Sequence, residues 1–192
     1  MVYDGIIIAL IVGLFRGGNF KGLADMKLKH AWVFPVLLLI QLIVYLTQNK
    51  IAIIGSSSNI VFMLVYIAGL YFLWENRHHS GFFIIFIGVL LNFIVMTANG
   101  GRMPVSLEAS TVLDPYFIEA LKTDLYGKHA AITEATRLAF LGDIIPLSAP
   151  YPREQVISIG DVIMNIGVFF FIQYLMLGNK GKNPTPQVTA SN

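Results

Sequence analysis

The chain contains no cysteine, which excludes disulfides, thiolate metal sites and cysteine nucleophiles. It is also poor in charge. Only 12% of its 192 residues are Asp, Glu, Lys or Arg, against about 25% in a soluble domain. With 56% hydrophobic residues and a mean hydropathy of +0.70, the chain cannot be a disordered or water-solvated module, and its composition implies a home in a bilayer. The net charge of +2 reflects few charges rather than a basic surface, so nucleic acid is not an expected partner. The chain has no Walker A loop, no Gly-x-Gly-x-x-Gly motif and no lysine inside an apolar run that could carry a Schiff base. His30, His78, His79 and His129 all lie between the apolar runs, which argues against an intramembrane bis-His haem. No metal and no cofactor are expected.

What the chain does have is long apolar runs. A spanning helix needs about 20 apolar residues, and five candidates occur: Val2 to Phe15, Ala31 to Thr47, Asn59 to Trp74, Gly81 to Ala98 and Ile157 to Leu177. The first is short, but it carries Asp4 with no basic residue before it, so it reads as a retained helix rather than a secretory signal. Arg16, Lys21, Lys27, Lys29, Arg77, Lys180 and Lys182 collect on one side of such an arrangement, which places that side in the cytoplasm. The expected fold is an all-α membrane protein of about five transmembrane helices, N-terminus outside and C-terminus inside, with a partly helical outer loop between spans four and five. Residues 1–178 form a single transmembrane domain with the outer loop at 99–156, and 179–192 are expected to form a disordered cytoplasmic tail. Arg16 to His30 reads as a basic connector or a short interfacial helix.

The unusual residues lie in the outer loop. Asn99-Gly-Gly-Arg-Met-Pro104 should end span four in a shaped turn, because its glycines permit positive φ and its proline stops a helix. Asp114-Pro115 reads as the start of a helix and Gly127 as its stop, with Phe117, Leu121 and Leu125 forming an apolar stripe and Glu119, Lys122 and Asp124 lying off it. Asp161 sits about one turn inside an apolar run, where an ionisable group is costly and faces a polar interior. Ser158 and Asn165 share its helix face, and Gly160 and Gly167 allow another backbone to come close. Asp161 can therefore be a helix cap, or one half of a polar site with Asp143. Two carboxylates at an apolar-walled surface would split into an acid and a base. Gln41, Tyr45 and Gln48 on span two, and Asn92 and Asn99 on span four, either point to a shared outer cavity or make ordinary interhelical hydrogen bonds.

Four blocks, Arg16-Gly-Gly, Ala98 to Val105, Thr136 to Pro146 and Ile157 to Val162, resemble a family of uncharacterised bacterial multi-pass membrane proteins known only as a domain of unknown function. The resemblance covers nearly the whole chain and implies a protein of the bacterial cell (plasma) membrane. The C-terminal part also looks like the end of lipoprotein signal peptidase (signal peptidase II), a four-span intramembrane aspartic peptidase. That likeness implies Asp143 and Asp161 as a catalytic dyad. Ser158 stands where that family has Asn, Gly160 replaces its Ala, and Gly167 matches a later Gly. The family's block before its first catalytic Asp has its only analogue here in Asn99 to Arg102, more than forty residues away.

Two functions follow. One is a non-catalytic membrane subunit that binds a lipid, a quinone or a partner, with membrane lipids, another membrane protein or a lipoprotein as its partners. The other is an aspartic peptidase-like hydrolase, with Asp143 and Asp161 as the dyad, Ser158 and Asn165 orienting them, and Asn99 and Arg102 holding substrate or a headgroup.

Overall fold

The computed structural model describes residues 2–47, 52–122, 127–151 and 153–178. Gln48, Asp124, Leu125 and the 179–192 tail lie outside the described residues, as does the side chain of Tyr45.

The protein is mostly helical. Its described residues form α1 (Val2–Phe15), α2 (Lys21–Ala24), α3 (Val33–Thr47), α4 (Ala52–Glu75), α5 (Phe82–Ala98), α6 (Pro115–Lys122) and α7 (Ile159–Leu177). The five long helices coincide with the five apolar runs to within a few residues, except that α4 begins earlier than Asn59. Two of them are long and apolar enough to cross a membrane, over Ser57–Glu75 and Ile159–Leu177; the apolar parts of α1, α3 and α5 are shorter. The connector after α1 is helical for only one turn, α2, and it tucks against the end of α7, with the Asn19 N–H donating to the Met176 carbonyl at 3.0 Å.

Helix α7 organises the bundle, packing most extensively on α5 and α1. Four glycines set the α5–α7 contact. Gly81 and Gly88 on one side and Gly160 and Gly167 on the other are each seven residues apart, or close to two helical turns. A Cβ on Gly88 would strike the Gly160 carbonyl, and one on Gly167 would lie 2.6 Å from the Ile85 nitrogen. The pairing of Gly88 with Gly160 and of Gly81 with Gly167 makes α5 and α7 antiparallel. Helix α1 runs parallel to α7, since Gly5 lies against Asn165 and Gly13 against Met176. Gln173 fastens that pair, donating to the Ala9 carbonyl at 2.6 Å and accepting from Arg16 at 2.9 Å. Stacking of Tyr66 on Phe93 and a tilted contact of Trp74 with Phe86 make α4 and α5 antiparallel. Leu37 against Gly69, with Val44 clustered beside Phe62, does the same for α3 and α4.

The segment between α5 and α7 is more ordered than a partly helical loop. The turn after α5 forms as its sequence requires: Gly100 and Gly101 have φ of 67° and 83°, and the Gly101 N–H closes on the Met96 carbonyl at 2.8 Å. Beyond it come β1 (Met103–Val105), β2 (His129–Ala131), β3 (Ile145–Leu147) and β4 (Gln155–Ile157). Strand β1 pairs parallel with β2, and β3 pairs antiparallel with β4. Helix α6 starts as expected, with the Asp114 carboxylate accepting from the Tyr116 N–H at 2.8 Å, and Leu121 is its buried residue. The strands lie beyond sequence-based expectation, because three-residue pieces are too short to show a two-residue period.

Space at the α5–α7 contact should be critical. Gly88→Val or Gly160→Val should each destabilise the protein by about 1–3 kcal/mol through overpacking. Gly178→Ala, which meets nothing within 4 Å, should be neutral. Thermal unfolding in detergent tests this, and equal melting temperatures for all three variants would refute the glycine contact.

Candidate functional site

The polar site is assembled where the cap between α5 and α7 meets the ends of those helices. Ser158 is the N-cap of α7. Its hydroxyl accepts the Asp161 N–H at 2.9 Å, and the Asp161 carboxylate accepts the Ser158 N–H at 3.3 Å, which completes a capping box. Asn92 of α5 enters this box from the side. It donates to Asp161 Oδ1 at 2.9 Å, and its own oxygen accepts the Ser158 hydroxyl at 2.8 Å. Both Asn92 and Ser158 are buried, so each is held by the other's hydrogen-bonding capacity. A Cβ at residue 160 would occupy the position of the Asn92 oxygen; Gly160 thus admits both the α5 backbone and this side chain.

Asp143 reaches the same corner by a different route. Its peptide N–H donates to the Pro104 carbonyl at 2.8 Å and its carbonyl accepts from Ser106 at 2.9 Å, so residue 143 lies across β1 from β2. The next residue, Ile144, donates to the Ile157 carbonyl at 3.2 Å, immediately before Ser158. The side chain of Asp143 is buried. Its Oδ2 lies 3.7 Å from His129 Nε2, and its Oδ1 is buried with no hydrogen-bond partner. Burial and the nearby Asp161 charge push the Asp143 carboxyl up to about 8, partly offset by Lys128. It therefore carries a proton at neutral pH.

The structure thus brings Asp143, Asp161 and Ser158 into one neighbourhood. The Asp161 carboxylate influences Asp143 electrostatically, while its own hydrogen bonds run to Asn92 and Ser158. Asn165 stands apart: its amide donates to the Asp161 carbonyl within α7 at 2.9 Å, and its buried oxygen faces Gly5 of α1. Asn99 serves the cap, donating to the Val95 and Arg137 carbonyls at 2.7 and 2.8 Å and accepting the Arg137 N–H at 2.9 Å. Arg102 follows in the same turn, its N–H on the Asn99 carbonyl at 3.3 Å, with a half-buried side chain.

Sequence reasoning missed His129 and Lys128 as neighbours of Asp143. The parallel pairing of β2 with β1 brings them there, with the Met103 N–H on the Lys128 carbonyl at 2.7 Å, and nothing local in the sequence signals that pairing. Asn92 is visible as a polar residue in an apolar helix, but its link to Asp161 depends on the glycine contact. Among the described residues no group of three His, Cys, Asp or Glu is placed to hold a metal ion.

An apolar groove of about 420 Å³ lies beside this site, between α1 and α7. Gly5, Ile8, Val162, Ile166 and Phe170 form its walls, and Leu147 and Tyr151 of the cap also line it.

The chain belongs to a family of unknown function, DUF5317, whose model matches residues 25–173. That range includes every polar residue of the site. An uncharacterised protein of Thermotoga maritima is similar along 171 residues, with 34% identity, covering 89% of this chain and 89% of that protein. No solved structure matches.

The raised Asp143 carboxyl has a consequence for stability. On unfolding it returns to its ordinary value near 3.8. Between about pH 4 and pH 8 the folded protein therefore binds more protons than the unfolded chain, and its stability falls as the pH rises through that window. Asp143→Asn should remove this fall. Melting curves of the two proteins should nearly coincide near the acid end and separate toward the alkaline end, with the variant higher. Parallel curves would show that Asp143 is not held protonated.

Proposed function

We propose that this member of the family is a five-span protein of the bacterial plasma membrane that binds a membrane lipid at its outer face without catalysing a reaction. Residues 1–178 would form its single transmembrane domain, with the N-terminus and the cap outside and the C-terminus inside. Three features support the membrane placement. The apolar windows of α4 and α7 have mean hydropathies of 1.6 and 1.7, yet only 33% and 28% of their residues are buried, whereas the core helix of a soluble protein is mostly covered. Large apolar side chains such as Ile11, Leu39, Leu64 and Phe83 are about half exposed on α1, α3, α4 and α5. The alternating helix directions are also those that five crossings require.

The groove between α1 and α7 carries the lipid assignment. Ile8, Ile166 and Phe170, which wall it, are each about half exposed, so it opens on the face that hydrocarbon would cover. Its upper end lies at the cap, and Val162, the residue after Asp161, lines it. An acyl or isoprenoid chain laid there would bring its polar end toward the Asp143 and Asp161 corner. Asp161 is engaged by the capping box and by Asn92, which suits a site that holds its shape.

One observation favours the peptidase alternative. A protonated Asp143 beside a hydrogen-bonded Asp161 is the asymmetry that an acid and a base require. Against it, Asp161 is already engaged by the Ser158 N–H and by Asn92, both of which hold it as a structural cap.

The two readings separate in a single set of variants. Val162→Trp fills the groove from an exposed position and should strip co-purifying lipid, read by native mass spectrometry, while Asp143→Asn should retain it. Undiminished lipid on the Val162 variant would refute the groove. Cleavage of a membrane-anchored lipopeptide by the wild type, abolished in folded Asp143→Asn and Asp161→Asn variants, would establish the peptidase instead.

A further inference from the structure

The turn at 137–141 combines three features that no role above explains. Leu138 adopts φ of 53°, a conformation that a leucine rarely takes. Leu138 and Phe140 are 39% and 60% exposed although both are large and apolar. The turn is also held rigidly. Asn99 grips the Arg137 backbone through both its N–H and its carbonyl while also bonding the Val95 carbonyl in the last turn of α5. On the other flank Leu141 packs into the cluster formed by Val44, Phe62, Val95 and Met96.

These two anchors fix the level of the turn. Arg137 is tied to the end of α5 and Leu141 packs with Val44 of α3, Phe62 of α4 and Val95 and Met96 of α5, so Leu138 and Phe140 stand beside the last turn of a helix that also exposes Ile94 to 40%. We infer that the turn is a membrane-surface anchor, with Leu138 and Phe140 inserted among the outer acyl-chain segments of the bilayer and the exposed Arg137 at the lipid phosphates. The inference rests on the membrane placement proposed above. Its occupant is lipid because Leu138, Phe140 and the nearby Ile94 are all large, apolar and exposed at the end of α5, and because the exposed Arg137 beside them matches an anionic headgroup layer. Rigid attachment means that no rearrangement is needed for insertion, and the positive φ at Leu138 is maintained by the Asn99 clamp.

The two native tryptophans, Trp32 and Trp74, flank the connectors predicted to be cytoplasmic, so an outer probe can be read alone once both are replaced by Phe. In that background Phe140→Trp, Tyr116→Trp and Leu64→Trp would each be reconstituted in vesicles containing phospholipid brominated near the headgroup end of its chains or deep within them. The Phe140→Trp probe should lose most of its emission to the shallow bromines and be shielded from aqueous iodide. Tyr116→Trp, on the exposed face of α6, should respond to iodide. Quenching of Phe140→Trp by iodide, or protection from both quenchers, would overturn the anchor. Leu64→Trp should respond to the deep bromines; if it does not, the membrane placement itself fails, and that outcome is distinct from failure of the anchor alone.

Discussion

Close approach of α5 and α7 is the constraint on which the rest of the structure depends. Both helices present glycine at seven-residue intervals, and their backbones meet where any side chain would collide. In an apolar environment, where burial of hydrocarbon gives little drive for helices to associate, such close packing and interhelical hydrogen bonds hold a bundle together. The contact also sets the chemistry. With α5 against α7, Asn92 falls level with the α7 N-terminus and completes a hydrogen-bond network with Ser158 and Asp161. Moving the helices apart by the width of one methyl group would leave these buried polar groups unpaired, at a cost of about 1–3 kcal/mol for each.

The cap depends on the same corner. It is pinned to α5 through Asn99, to the cluster of Val44, Phe62 and Val95 through Leu141, and to the start of α7 through Ile144 and Ile157. These attachments carry Asp143 into a buried position near Asp161, and the two aspartates then experience different environments. Asp161 receives hydrogen bonds from the Asn92 amide and from the N–H of the N-cap Ser158. Asp143 has a buried oxygen with no partner and responds by holding its proton. A site of this kind can offer a carboxylic acid donor beside a carboxyl group already held by hydrogen bonds, at the level where a lipid headgroup would lie.

Much of the fold is legible in the sequence. Four of the apolar runs match their long helices to within a few residues, because charge, glycine or proline at their ends stop helices for local reasons; α4 instead continues back through Gly55 and three serines to Ala52, small and polar residues that the helix absorbs. Gly160 and Gly167 are legible as close-approach positions. Ser158 and Asp161 are legible as a cap, since an acid stands three positions after a serine at the head of an apolar run. The cap's interior is not legible. Strands β1 and β2 are three residues long, pair in parallel and are separated by more than twenty residues, so the proximity of Lys128 and His129 to Asp143 has no local signal. The polar character of Asn99 is legible, but not that its amide holds Val95 and Arg137. A polar side chain in an apolar setting must have a partner, and only the tertiary structure says whether that partner is a ligand or the chain itself.

The central claim is that five helices cross the membrane with the cap outside. Because the chain has no native cysteine, single cysteines report sidedness without background. Tyr116→Cys on α6 and His78→Cys between α4 and α5 both replace exposed residues. With a membrane-impermeant maleimide applied to whole bacteria whose outer barrier has been made permeable, Tyr116→Cys should label and His78→Cys should label only after the inner membrane is opened. Equal labelling of the two before opening, or labelling of His78→Cys alone, would contradict the arrangement.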